Sequence, residues 1–137
     1  MTNKEKERDK IRRAKALLKK QNSPTYLKKK ADSLFHALVK KIGWCESGRE
    51  KHKGPLQCAH GFSRSHISTR WDVRNAWALC AGCHLYYGRH RVLEWDEWMQ
   101  QKLGLSAYLQ LRHKALYVVP ENIRWTIERL EHVTGLN

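Results

Sequence analysis

The sequence predicts an α+β fold, mainly helical, in which a short metal-stapled core is flanked by N- and C-terminal helices. Three observations predict it. Apolar residues recur at helical spacing before residue 42 and again after residue 94. The stretch between them consists of short segments rich in Cys, His, Gly and Trp, without that period. Within that stretch Cys80 and Cys83 have the spacing of a metal knuckle. A chain of 137 residues is long enough for one compact domain and an appended arm, and too short for two full-sized cores. The expected division is a basic helical arm and packing helix over 1–42, a stapled core over 43–93, and helices packed on that core over 94–137.

The elements follow in chain order. The opening run TNKEKERDKIRRAKALLKK reads as a helix with few apolar anchors, hence a basic arm. Ser23-Pro24 breaks it, because proline restricts its predecessor and favours the first turn of a new helix. The next helix runs from about Pro24 to Ile42, with Tyr26, Leu27, Ala31, Leu34, Leu38 and Ile42 forming its buried face. Beyond the core, Glu94 to Leu103 reads as a helix ended by Gly104, Ser106 caps another, and Pro120 opens a last one through about Val133. Trp95, Trp98, Trp125, Ile127 and Leu130 read as core rather than as base-stacking platforms.

Charge narrows the partner. Lys and Arg number 27 against 13 Asp and Glu, a net +14 at pH 7, and seventeen of those basic residues fall in the first 53 positions. Nucleic acid is the expected partner of such a field, against the plainer alternative of a merely soluble basic protein. No stretch has the apolar length to cross a bilayer and the N-terminus lacks the apolar core of a secretory signal, so a reducing cytosol is expected. Four cysteines in that compartment are better explained by metal than by disulfides.

Cys80-Ala81-Gly82-Cys83 can present two thiolates to one zinc ion, with small residues that let the backbone fold around it. A structural zinc needs four ligands, and Cys45 and Cys58 are the remaining cysteines, so an all-cysteine site of Cys45, Cys58, Cys80 and Cys83 is expected. The alternative leaves Cys58 a small buried thiol and completes the site with His52 or water. Such a closed site is structural, and loss of Cys80 or Cys83 should unfold its surroundings.

His60, Asn75 and His84 occur in that order, His84 directly after the knuckle. Phosphodiester hydrolysis needs a base for water and a cation for the charge on the phosphate and leaving oxygen; two imidazoles, one of them metal-bound, can supply both. Cys45, the segment LQCAHGFSRSHISTRWDVRNAWALCAGCH and the aromatic-rich turn after it resemble the HNH (ββα-metal) nucleases, and more closely the phage NinG (Rap) recombination-endonuclease family, over roughly residues 40–100. The resemblance implies a ββα-metal core in a metal-dependent DNA endonuclease. In it His60 is the general base, Asn75 holds the central loop and orients the imidazole, and His84 ligates the catalytic ion. It also implies products with 5′-phosphate and 3′-hydroxyl ends. Mg or Mn suits phosphate oxygens, and a histidine ligand also admits Ni, Co or Zn. Two positions depart from the family pattern. Ala59 stands where many relatives place an Asp or His ligand before the base, leaving His66, Asp72 and His90 as candidates for the second ligand. Cys45-Glu46-Ser47-Gly48 stands where relatives carry a CxxC pair, which is why Cys58 is drawn into the zinc assignment. His36, His52, His113 and His132 have no ligand spacing and read as surface or hydrogen-bonded residues.

Arg64, Arg70 and Arg74 lie between base and asparagine, with Arg89 and Arg91 beyond the knuckle, and their forked geometry suits phosphates flanking a cut. Phosphate contacts give position rather than sequence readout, so a structural or weak sequence preference is expected, on duplex or branched DNA. Symmetric cutting of a junction would require a homodimer. The family resemblance suggests a phage protein acting in bacterial cytoplasm. Competing readings are a non-catalytic zinc-ribbon DNA-binding module, a general nicking or packaging-associated HNH nuclease, and an RNA-directed protein.

Overall fold

A computed structural model describes residues 1–88 and 90–136. Its order is α1 (Asn3–Gln21), α2 (Pro24–Lys40), β1 (Leu56–His60), α3 (Ile67–Arg70), a 3₁₀ turn (Val73–Asn75), β2 (Ala76–Cys80), α4 (Ala81–Gly88), α5 (Val92–Leu103), α6 (Leu105–Tyr117) and α7 (Ile123–Thr134). The protein is mainly helical with a small two-stranded sheet, as expected.

The first helix has no buried residue, which fits its composition: a capping box between Thr2 and Glu5 starts it, but nothing apolar anchors it. Ser23 caps α2 by accepting from the Tyr26 amide, with Pro24 at the first helical position. Ala31, Leu34 and Phe35 are the buried face of α2, and they meet Ile127 and Leu130 of α7.

The sheet sits between two cores. β1 and β2 are antiparallel, with His60 opposite Ala76, Cys58 opposite Ala78 and Leu56 opposite Cys80. Alternate residues face opposite sides. On one side Ala76 and Cys58 join Phe35, Trp71 and the α7 residues. On the other, Ala59, Trp77 and Leu79 join Met99 and Tyr108, with Trp95 and Trp98 packed against them. β2 is therefore buried along its whole length. Its small alanines lie towards α2 and its large side chains towards α5 and α6.

Three expectations shift. Asn122, not Pro120, caps the last helix, accepting from the Arg124 and Trp125 amides. Gly104 rather than Ser106 precedes α6. Trp125 is 51% exposed rather than core, because α7 turns Ile127 and Leu130 inward and leaves Trp125 on the outer side beside Arg129.

Candidate metal centre and histidine cleft

Cys45, His52, Cys80 and Cys83 bring one ligand atom each to within 4.8 Å of one another. Cys80 ends β2 and Cys83 lies in the first turn of α4, so the strand-to-helix turn supplies two sulfurs. The loop after α2 supplies the others. It is docked on β2 by Glu46, whose amide donates to the Ala78 carbonyl at 2.8 Å while its carboxylate accepts from the Ala78 amide at 2.9 Å. Further along, the Lys53 and Pro55 carbonyls accept from the Gly82 and Ala81 amides, closing the loop over the helix start. Gly54, at φ +82°, makes that closure possible; a Cβ there would lie 2.9 Å from Ala81 Cβ.

The donor set fits a tetrahedral ion. His52 Nδ1 is 3.7 Å from both Cys80 Sγ and Cys83 Sγ, near the edge of about 3.6 Å expected when sulfur and imidazole nitrogen share such an ion. Desolvation raises the Cys80 thiol, but the Cys83 and Lys53 amides aimed at its sulfur outweigh that and bring it down to about 7, towards the thiolate a metal needs. This cluster could hold a structural metal ion.

Cys58 is not part of it. The register sets Cys58 opposite Ala78, two residues or about 7 Å along the ladder from the end where Cys80 sits, and its side chain joins the α2 layer. The fourth member of the cluster is His52, which lies in a Lys- and Glu-rich loop where spacing alone marks nothing. The alternative with His52 in the site, and Cys58 a half-buried thiol outside it, is the one this geometry favours. Burial there pushes the Cys58 thiol up to about 12.

A separate cleft of about 570 Å³ opens between α2, β1 and α4, and both His60 and His84 line it. His60 Nε2 lies 2.9 Å from the Arg70 carbonyl, so that nitrogen donates and Nδ1 keeps the lone pair. Burial lowers the His60 pKa to about 4, leaving the ring neutral near pH 7. On α4, His84 Nδ1 lies 2.8 Å from Gln57 Oε1, an acceptor that leaves Nε2 unprotonated. Asn75 stands behind the cleft, fully buried. It accepts from the Phe62 amide at 2.7 Å and donates to the Phe62 and Thr69 carbonyls, both at 3.0 Å. It ties the loop after β1 to the turn before β2 and makes no direct bond to His60.

The expected second ligands are elsewhere. None of His66, Asp72 and His90 lines the cleft. Asp72 is held by Arg74 and Lys114, at 2.8 and 2.7 Å; burial alone would raise its carboxyl, but these hydrogen bonds hold it far below the usual range.

The arginines divide similarly. Arg70 forks onto Asp32 of α2 at 3.0 and 2.7 Å and Arg74 is bound to Asp72, so both guanidiniums are committed to internal carboxylates. Arg91 is paired with Glu94 and lies over the Tyr86 ring. Arg89 lies outside the described residues. Arg64, 57% exposed along its side chain, lines the cleft with its guanidinium 3.7 Å from Asp32; Lys40 lines it too, and sequence reasoning had not singled it out because one lysine among many on α2 carries no signal.

Two indoles fix both regions. Trp95 and Trp98 stack at 4.8 Å on one side of α5; Trp95 donates to the Gly61 carbonyl at 3.1 Å and Trp98 to the Ser47 carbonyl at 2.9 Å. No family model matches the chain, and no curated protein or solved structure does either.

Proposed function

We propose that the protein is a metal-dependent DNA endonuclease of the HNH type, stapled by a structural zinc at Cys45, His52, Cys80 and Cys83. The observation that carries this reading is one basic-rimmed cleft holding two imidazoles with opposite preparation. His60 has Nε2 engaged by a backbone carbonyl and Nδ1 free; His84 has Nδ1 engaged by Gln57 and Nε2 free. The order β1, β2, α4 and the family resemblance of residues 56–84 support the same assignment.

In this mechanism His60 Nδ1 takes the proton of a water that attacks phosphorus, and the Arg70 carbonyl stabilises the ring as it becomes charged. His84 Nε2 would hold the catalytic divalent ion, Mg or Mn, with Ni, Co and Zn as alternatives. When bound, that ion would offset charge on the phosphate and the departing oxygen. Gln57 orients His84 as an outer-shell partner. Arg64 and Lys40 hold phosphates at the rim. Asn75 positions the loop that carries Gly61 and Phe62. Branched recombination intermediates are the preferred substrate on the family resemblance.

The test is cleavage of supercoiled plasmid and a four-way junction with Mg, Mn or Ni and an EDTA control, by the folded wild type, His60→Ala and His84→Ala. Metal-dependent cutting that both variants lose supports the assignment. A second reading, a DNA-binding module without catalysis, is favoured by Ala59 and by the position of Asp72 outside the cleft lining. DNA binding by folded wild type without cutting under any ion would establish that reading instead.

A further inference from the structure

We infer that His36, Cys58 and His60 form a second metal site in the cleft, specific for a zinc-class ion, and that its occupation silences His60. The three ligand atoms lie within 4.8 Å of one another and belong to a different cluster from Cys45, His52, Cys80 and Cys83. α2 supplies His36, and Cys58 and His60 are alternate residues of β1, pointing to the same side of the strand. All three line the cleft.

An independent observation points to a missing partner. Among the described residues, His36 Nε2 is a buried side-chain nitrogen with no hydrogen-bond partner. An unsatisfied buried polar atom is costly, and on a histidine clustered with a thiol and a second imidazole it is explained by a ligand that all three share. The His36 and His60 rings meet edge to face at 5.9 Å, so neither stacks across the space between them.

The donor types select the ion. A thiolate with two imidazoles suits zinc and, less specifically, cobalt, nickel or copper, whereas magnesium and manganese prefer oxygen ligands. Cys58 binds as thiolate and releases its proton to solvent, reducing the charge added to the cleft from two to one. Three protein ligands leave the fourth tetrahedral position open to the cleft, where Lys40 and Arg64 favour an anion.

The regulatory consequence rests on the nuclease reading. With Nε2 given to the Arg70 carbonyl, the nitrogen of His60 left for the ion is Nδ1, the lone pair assigned to the base. Zinc-class occupation and base catalysis are therefore mutually exclusive. Of the ions admitted at His84, magnesium and manganese support cutting without entering this site, whereas a zinc-class ion stops it.

Metal counting by mass spectrometry decides the site independently of cleavage. Wild-type protein equilibrated with zinc should retain two ions per chain, and His36→Ala or Cys58→Ala one. As a check needing no variant, the second zinc equivalent should slow iodoacetamide alkylation of Cys58 in wild type at least tenfold. One ion per chain in wild type, or Cys58 alkylation unaffected by the second equivalent, overturns the site. In Mg-supported cleavage, zinc should inhibit wild type, and His36→Ala should need at least tenfold more zinc for the same inhibition. Equal inhibition of the two proteins overturns the silencing. A wild type that binds two zinc ions but never cuts DNA refutes the nuclease reading and the silencing while leaving the site established.

Discussion

Asn75 has no exposed surface, and its amide makes three hydrogen bonds to backbone groups of two different segments. Replacing it with alanine leaves the Phe62 amide and the Phe62 and Thr69 carbonyls without that partner. Asn75→Ala should therefore lower stability by about 3 kcal/mol, read from urea denaturation. His60 makes a second prediction. Burial lowers its folded pKa to about 4 from the 6.5 of an exposed imidazole, so between those values the unfolded chain takes up a proton that the folded chain refuses. Stability is complete above pH 6.5 and falls as the solution is acidified towards 4, and burial of His36 and His84 acts in the same direction. His60→Gln should flatten this slope in denaturation midpoints measured across the window. At this scale the knuckle cysteines and the candidate imidazoles are legible from spacing and order. His52 is not, because a ligand delivered by a loop depends on where the chain folds back, and the Lys53 and Pro55 carbonyls that direct it are backbone groups common to every residue type.

Between α2 and the end of α3 runs a largely buried ion pair. Asp32 binds the Arg70 guanidinium and also accepts from Trp71 Nε1 at 2.9 Å. The backbone so held presents the Arg70 carbonyl to His60, which makes Asp32 a positioning residue two steps from the imidazole. Asp32→Ala leaves a largely buried guanidinium unpaired and should cost about 3 kcal/mol by urea denaturation. A glycine makes the neighbouring loop similarly exacting. A Cβ on Gly61 would overlap Met99 Sδ and lie 2.9 Å from Asn75 Oδ1, so Gly61→Ala should destabilise the fold by at least 1 kcal/mol in the same assay. Helices were readable wherever period and caps agree, as at Ser23-Pro24. The two strands were legible only through the motif, since five residues buried on both faces of β2 show no alternation of apolar and polar types. Arg70 and Arg74 resemble free cations in sequence because their carboxylates, Asp32 and Asp72, are matched to them only by the fold.

For the molecule as a whole, net charge and burial are separated in space. α1 has no buried residue, so deleting residues 1–21 should leave the unfolding free energy read from urea denaturation unchanged within about 0.5 kcal/mol. The same deletion should weaken duplex DNA binding and reduce its dependence on salt, because fewer counterions are released. Metal removal should have the opposite profile. If Cys45 and His52 ligate a structural ion together with Cys80 and Cys83, a strong chelator should lower the melting temperature substantially, since that ion would tie the loop over 43–55 to the start of α4.

Trp95 and Trp98 are spaced by three residues of one rigid helix, a rise of about 4.5 Å, and each grips the backbone of a different loop. They act as a gauge block. The strand end that carries the imidazole and the turn that carries Cys45 are set to a common tolerance, so slackness in one loop is transmitted to the other as misalignment.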